Sequence, residues 1–167
     1  EGTASIRIAV ALYARRATGA ESGTVTVTQT STVLMGGIID RYSGCITSGA
    51  YIEGFDDAYG LGTDITVQDL EVSGSDRLAV FIASIEDNWT PLSYPTGWVE
   101  EYAIEDTTGS DSATALALQS PPSGTLTGGV ATLQFSKYWG SFVLALIPTS
   151  SGTDNLTSQD IATGATV

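Results

Sequence analysis

The sequence predicts an all-β protein, a two-sheet antiparallel sandwich of jelly-roll type, and three observations carry that prediction. Apolar residues recur with a period of two rather than about 3.6. Clusters rich in Gly, Ser, Asp and Pro cut the chain into short segments: Thr18-Gly19, residues 60–62, Ser73-Gly74-Ser75-Asp76, Thr108-Gly109-Ser110-Asp111 and Pro121-Pro122-Ser123-Gly124. No segment carries an apolar stripe at helical spacing over several turns.

Taken in order, the segments read as follows. Ile6, Ile8, Val10 and Leu12 fall on one face of a first strand, with Arg7, Ala9, Ala11 and Tyr13 on the other. Gly23 opens Thr24-Val25-Thr26-Val27-Thr28, whose alternation suits a half-buried strand. Residues 32–42 follow through Met35, Ile38 and Ile39 and end in Asp40-Arg41, a polar pair for an apolar strand. Residues 45–64, rich in Gly, Asp and Tyr, read as a long ordered loop. Further strands are expected over residues 65–72, 77–85, 97–105, 112–119, 130–136 and 139–147. Roughly nine short strands at such spacing is the pattern of two packed sheets.

An internal echo suggests two related halves. Ile8-Ala9-Val10-Ala11-Leu12, then Gly23 and the strands to Tyr42, recur as Thr114-Ala115-Leu116-Ala117-Leu118, then Gly129 and the strands to Ile147. Only the second copy has a prelude, Asp76-Arg77-Leu78-Ala79-Val80-Phe81-Ile82, so an N-terminal piece upstream of Glu1 is expected to complete the first. The bland alternative is that any two hairpins of a sandwich look alike. Residues 1–148 are read as the sandwich domain and residues 149–167 as a linker and tail. That tail has too little apolar mass to fold alone, and it is expected to be extended or packed on a neighbour.

Composition excludes more than it identifies. At 167 residues the chain fits one domain with a core that needs neither disulfides nor a structural metal. Its single cysteine, Cys45, has no partner within the chain and is read as a buried, inert thiol. Six Lys plus Arg stand against 19 Asp plus Glu, a net charge of −13, which argues against nucleic acid and anionic membranes as partners. Histidine is absent, which removes the commonest general base, zinc ligand and triad member. No apolar run approaches the roughly 20 residues that cross a bilayer as a helix.

Three stretches carry a family resemblance. They are Tyr13-Ala14-Arg15-Arg16-Ala17-Thr18-Gly19-Ala20-Glu21, Ile38-Ile39-Asp40-Arg41-Tyr42-Ser43-Gly44, and Trp89-Thr90-Pro91 running on to Pro95-Thr96-Gly97-Trp98. They resemble a sandwich module of tailed-phage and prophage structural proteins. The tail Leu156-Thr157-Ser158-Gln159-Asp160-Ile161-Ala162-Thr163-Gly164 resembles the first unit of a short Leu-Thr-x-x-Asp-Leu-x-Thr-Gly repeat of such proteins. The resemblance implies a virion component (tail fibre, spike or head decoration) and brings no catalytic residues with it.

The candidate chemistry is sparse. Glu100 and Glu101 are adjacent, so on a strand they point to opposite faces and do not flank one glycosidic bond. Glu53, Asp56, Asp57 and Asp64 are the candidates for Ca²⁺, because loops rich in Asp and Gly suit oxygen coordination, although EF-hand spacing is lacking. A solvated acidic loop is the plainer reading. Tyr51, Phe55, Tyr59, Trp89 and Tyr94 are candidates for recognition or subunit contact, while Trp98 and Trp139 are read as core. The expectation is a non-enzymatic virion module that packs against copies of itself and other virion proteins and attaches to the host surface. The alternative is a carbohydrate-binding adhesin domain, with or without Ca²⁺.

Overall fold

The computed structural model describes residues 8–19, 26–28, 37–86, 91–106, 112–120, 124–149 and 157–160. Among them there is no helix, and every strand pair runs antiparallel. In chain order the strands are β1 (Asp40–Ser43), β2 (Ile52–Val67), β3 (Leu70–Val72), β4 (Leu78–Glu86), β5 (Pro91–Ser93), β6 (Val99–Asp106), β7 (Ser112–Gln119), β8 (Gly124–Leu126), β9 (Gly129–Leu146) and β10 (Thr157–Asp160). The main sheet runs β2-β9-β4-β7-β6, with β5 also paired to β9. Two further two-stranded sheets, β1-β10 and β3-β8, complete the described structure.

The order of the main sheet follows apolar content. β4 is buried along nearly its whole length, as its sequence Leu-Ala-Val-Phe-Ile-Ala-Ser-Ile requires, so it sits inside the sheet between β9 and β7. β7 alternates Ala113, Ala115 and Ala117 on one face with Leu116 and Leu118 on the other. The alanine face joins the larger core cluster and the leucine face the smaller one. Small residues on the first face leave room for Phe81 and Trp98, whose rings meet edge-on at 5.8 Å.

β2 and β9 form a long ribbon that folds over on itself. Their register breaks between Gly62 and Asp64, where Thr63 alone faces residues 133–136. Beyond the break Ile65, Val67 and Ala131, and Leu133 within it, join one core cluster with Val143 and Ala145 from before it. The Ser141 hydroxyl donates to the Thr66 carbonyl at 2.8 Å, tying the two arms together across the core. On the opposite sheet face, Leu78, Val80, Leu116, Leu144 and Leu146 form a second cluster, with Leu12, Tyr42, Cys45 and Tyr51 packed against it.

Several sequence expectations are corrected here. Residues 45–64 are not a loop: from Ile52 onward they are the first arm of β2. Their Gly, Asp and Tyr content hides the strand, which forms because it pairs with the apolar β9. Residues 8–12 keep the expected alternation, Ile8, Val10 and Leu12 half-buried and Ala9 and Ala11 exposed, yet they form no ladder. They cross the sheet as an extended strap: a Cβ on Gly140 would lie 3.0 Å from Val10 Cγ2, so glycine lets the strap approach the backbone there. Residues 26–28 likewise carry no strand, and of residues 37–42 only 40–42 belong to one. The two copies of the internal echo therefore differ where both are described, since residues 114–118 lie within β7. The expected strands 130–136 and 139–147 are one bent strand, β9. In the tail, residues 157–160 pair with β1 of the same chain, which is where the polar Asp40-Arg41 pair belongs.

Candidate functional site

β2 is an outer strand of the main sheet, so one of its backbone edges has no partner strand among the described residues. Beyond the irregularity at residues 52–54, Phe55, Asp57, Tyr59 and Leu61 lie on the face they share with Leu144, Phe142, Gly140 and Tyr138 of β9. Three of the four are large apolar or aromatic side chains with high exposure: Phe55 67%, Tyr59 87% and Leu61 60%. The other face is held small. Ala58 packs on the core, and Gly60 lies under the Trp139 indole, where a Cβ would meet Cζ2 at 2.7 Å.

The orientation of the β2 backbone can be read from Asp57. Its amide donates to Asp56 Oδ1 at 2.8 Å, and its carbonyl accepts from Gln68 Nε2 at a long 3.4 Å. Both groups therefore point away from β9. In an antiparallel ladder this sense repeats every second residue, so the amides and carbonyls of Phe55, Tyr59 and Leu61 also face outward.

The four acidic candidates do not converge. Among the described residues no group of three or more His, Cys, Asp or Glu side chains is placed to hold a metal ion. Glu53 is engaged elsewhere, accepting from Arg77 Nε at 2.5 Å and from the Ser73 amide at 2.7 Å. Arg77 also bonds Asp76 at 2.6 Å. Burial alone would raise the Glu53 carboxyl, but the bonds from Ser73 and Arg77 outweigh it and hold the group below the usual carboxylate range. Asp56, Asp57 and Asp64 are exposed and have no ion-pair partner among the described residues. Asp56 and Asp64 accept only local bonds, Asp64 from the Thr63 hydroxyl at 3.2 Å.

The remaining recognition candidates divide. Tyr51 is half-buried, with the Arg16 guanidinium 5.1 Å from its ring centroid, and Arg16 also donates to the Gly49 carbonyl at 2.8 Å. Tyr94 is half-buried, meets Phe81 edge-on at 6.5 Å and donates to Glu100 at 2.7 Å. Trp89 lies outside the described residues. Trp98 and Trp139, read as core, are each 6% exposed. Burial foremost, then Asp40, raises the Tyr42 hydroxyl far above its ordinary value. Burial also raises the Cys45 thiol, opposed by Arg16. Cys45, read as buried, is half-buried.

Sequence reasoning missed a polar cleft of about 470 Å³ lined by Thr96, Gln119, Thr125, Leu126, Thr127 and Gly128. The Gln119 Oε1 is buried there without a hydrogen-bond partner among the described residues, and the Thr125 hydroxyl donates to Glu71 at 2.6 Å. Its signal in the sequence is only the threonines of two turns far apart in the chain, which no spacing rule joins. Compared with known proteins, the chain matches no family model, no curated protein and no solved structure.

Proposed function

We propose that this chain is a non-enzymatic structural module of a phage particle, a decoration, fibre or spike unit, that works by packing against neighbouring protein subunits. The folded-over β2–β9 ribbon supports reading the core as a sandwich of two layers. The observation that carries the functional reading is the row Phe55, Tyr59 and Leu61, exposed on one face of an outer strand and interrupted only by Asp57, because such a row is a liability in an isolated protein and a contact in an assembled one. The phage context rests on the sequence resemblance. Its test is immunogold labelling of purified particles together with the flanking reading frames. Labelled particles and neighbouring capsid, portal or tail genes are expected. Metabolic neighbours and unlabelled particles would overturn it.

The second reading, a glycan-binding adhesin, is favoured by the cleft, where the hydroxyls of Thr96 and Thr127 and the unpartnered Gln119 oxygen offer hydrogen bonds to a sugar. A glycan array run with and without EDTA tests it. A defined sugar hit that Thr127→Val removes supports the adhesin, EDTA sensitivity would add Ca²⁺, and an empty array refutes it.

A further inference from the structure

We infer that the outer edge of β2 accepts an extended, basic segment of a partner protein as an added antiparallel strand. This rests on the packing reading above and names the surface and the chemistry of its occupant. An incoming strand needs a row of free backbone groups, and residues 55, 57, 59 and 61 direct theirs outward along the edge. Among the described residues, the 3.4 Å contact from Gln68 and the local bond to Asp56 are what must give way.

The flanking side chains define what the strand carries. On one face Phe55, Tyr59 and Leu61 stand exposed, so apolar residues opposite them would bury area that water now covers. On the other face Asp56 is the exposed side chain, since Ala58 packs on the core and Gly60 lies under the Trp139 indole. Lys137 is opposite Gly62 on β9, but no cation pairs with Asp56 or Asp57 among the described residues.

Charge complementarity selects the occupant. A second copy docking edge to edge would bring Asp56 and Asp57 toward their own equivalents, between chains of net charge −13. A segment alternating basic and apolar residues meets both faces instead. Its basic side chains meet Asp56 on one face, and its apolar ones cover Phe55, Tyr59 and Leu61 on the other, the face that also carries Asp57. The same carboxylates thus discourage self-pairing and favour a cationic strand.

The test uses the full chain and three fluorescein-labelled twelve-residue peptides: alternating Lys and Val, alternating Glu and Val, and the Lys/Val peptide with prolines at alternate positions. Anisotropy is expected to show binding of the first peptide alone. D56K with D57K should weaken it about tenfold or more, whereas the charge-matched pair E101K with E105K on β6 should leave it within about twofold. Tyr59→Pro removes an outward amide that the β9 ladder does not use, and should abolish binding while circular dichroism stays unchanged. Amide exchange read by NMR should slow at residues 55, 57, 59 and 61 on binding. Equal binding of the proline peptide, or equal loss in both charge-reversed pairs, would overturn the inference as diffuse charge attraction. Particle labelling does not depend on this result, so the packing reading can stand if strand addition fails.

Discussion

Replacing Phe81 by alanine removes the largest fully buried side chain among the described residues, 0% exposed in the middle of β4. Losing the buried ring costs about 2–3 kcal/mol in transfer alone. The cavity left behind adds to that, because Tyr94 and Trp98 stand edge-on to the ring at 6.5 and 5.8 Å and alanine offers them nothing to pack against. The total comes to about 3–5 kcal/mol, a third or more of the stability of many domains. For a chain of this size that corresponds to a fall in Tm of roughly 6–20 °C. Urea unfolding followed by tryptophan fluorescence measures it, with Leu61→Ala as the exposed control, expected to stay within about 0.5 kcal/mol. A loss below about 1.5 kcal/mol for Phe81→Ala would refute the reasoning, since the ring would not be closing a shared core.

Three further outcomes follow from other contacts. Ser141→Ala leaves the Thr66 carbonyl without its hydroxyl partner and is expected to cost about 1–3 kcal/mol in urea unfolding, whereas loss of an idle hydroxyl would cost almost nothing. Glu53 has a depressed folded pKa, so its contribution to stability is present above the ordinary carboxylate range and is lost as pH falls through the folded value. Glu53→Gln should therefore be less stable than the native chain at pH 7, and urea midpoints of the two should converge on acidification. Cys45, its thiol raised by burial, should alkylate with iodoacetamide at pH 8 more slowly in the folded chain than in urea.

Legibility in the sequence followed the origin of each element. β4, β7 and the second arm of β9 were readable because their own residues are apolar enough to demand burial. The first arm of β2 was not, since Gly60 is dictated by the Trp139 ring and the exposed Tyr59 by nothing local. A strand whose partner supplies most of the apolar surface looks like a loop until that partner is placed. Residues 8–12 show the converse: alternation predicts which side chains turn inward, but not whether the backbone finds a ladder. Pro91 opens β5 and so hid that short strand, which pairs with β9 through a shifted register.

At the site, Phe55 and Tyr59 were legible as recognition candidates from residue type alone, while their alignment with Leu61 needed the strand. The acidic residues near them suggest Ca²⁺ coordination if residues 45–64 form a loop. On a strand, Asp56 and Asp57 diverge to opposite faces, and Glu53 is committed to Arg77.

The most direct test of the account is hydrogen exchange of β2, measured by mass spectrometry on the free chain and on the chain within purified particles. If the β2 edge is where this module meets its neighbours, peptides spanning residues 54–62 exchange markedly more slowly in the particle, while those of the opposite edge strand β6 change little. Equal exchange of residues 54–62 in both states would contradict it.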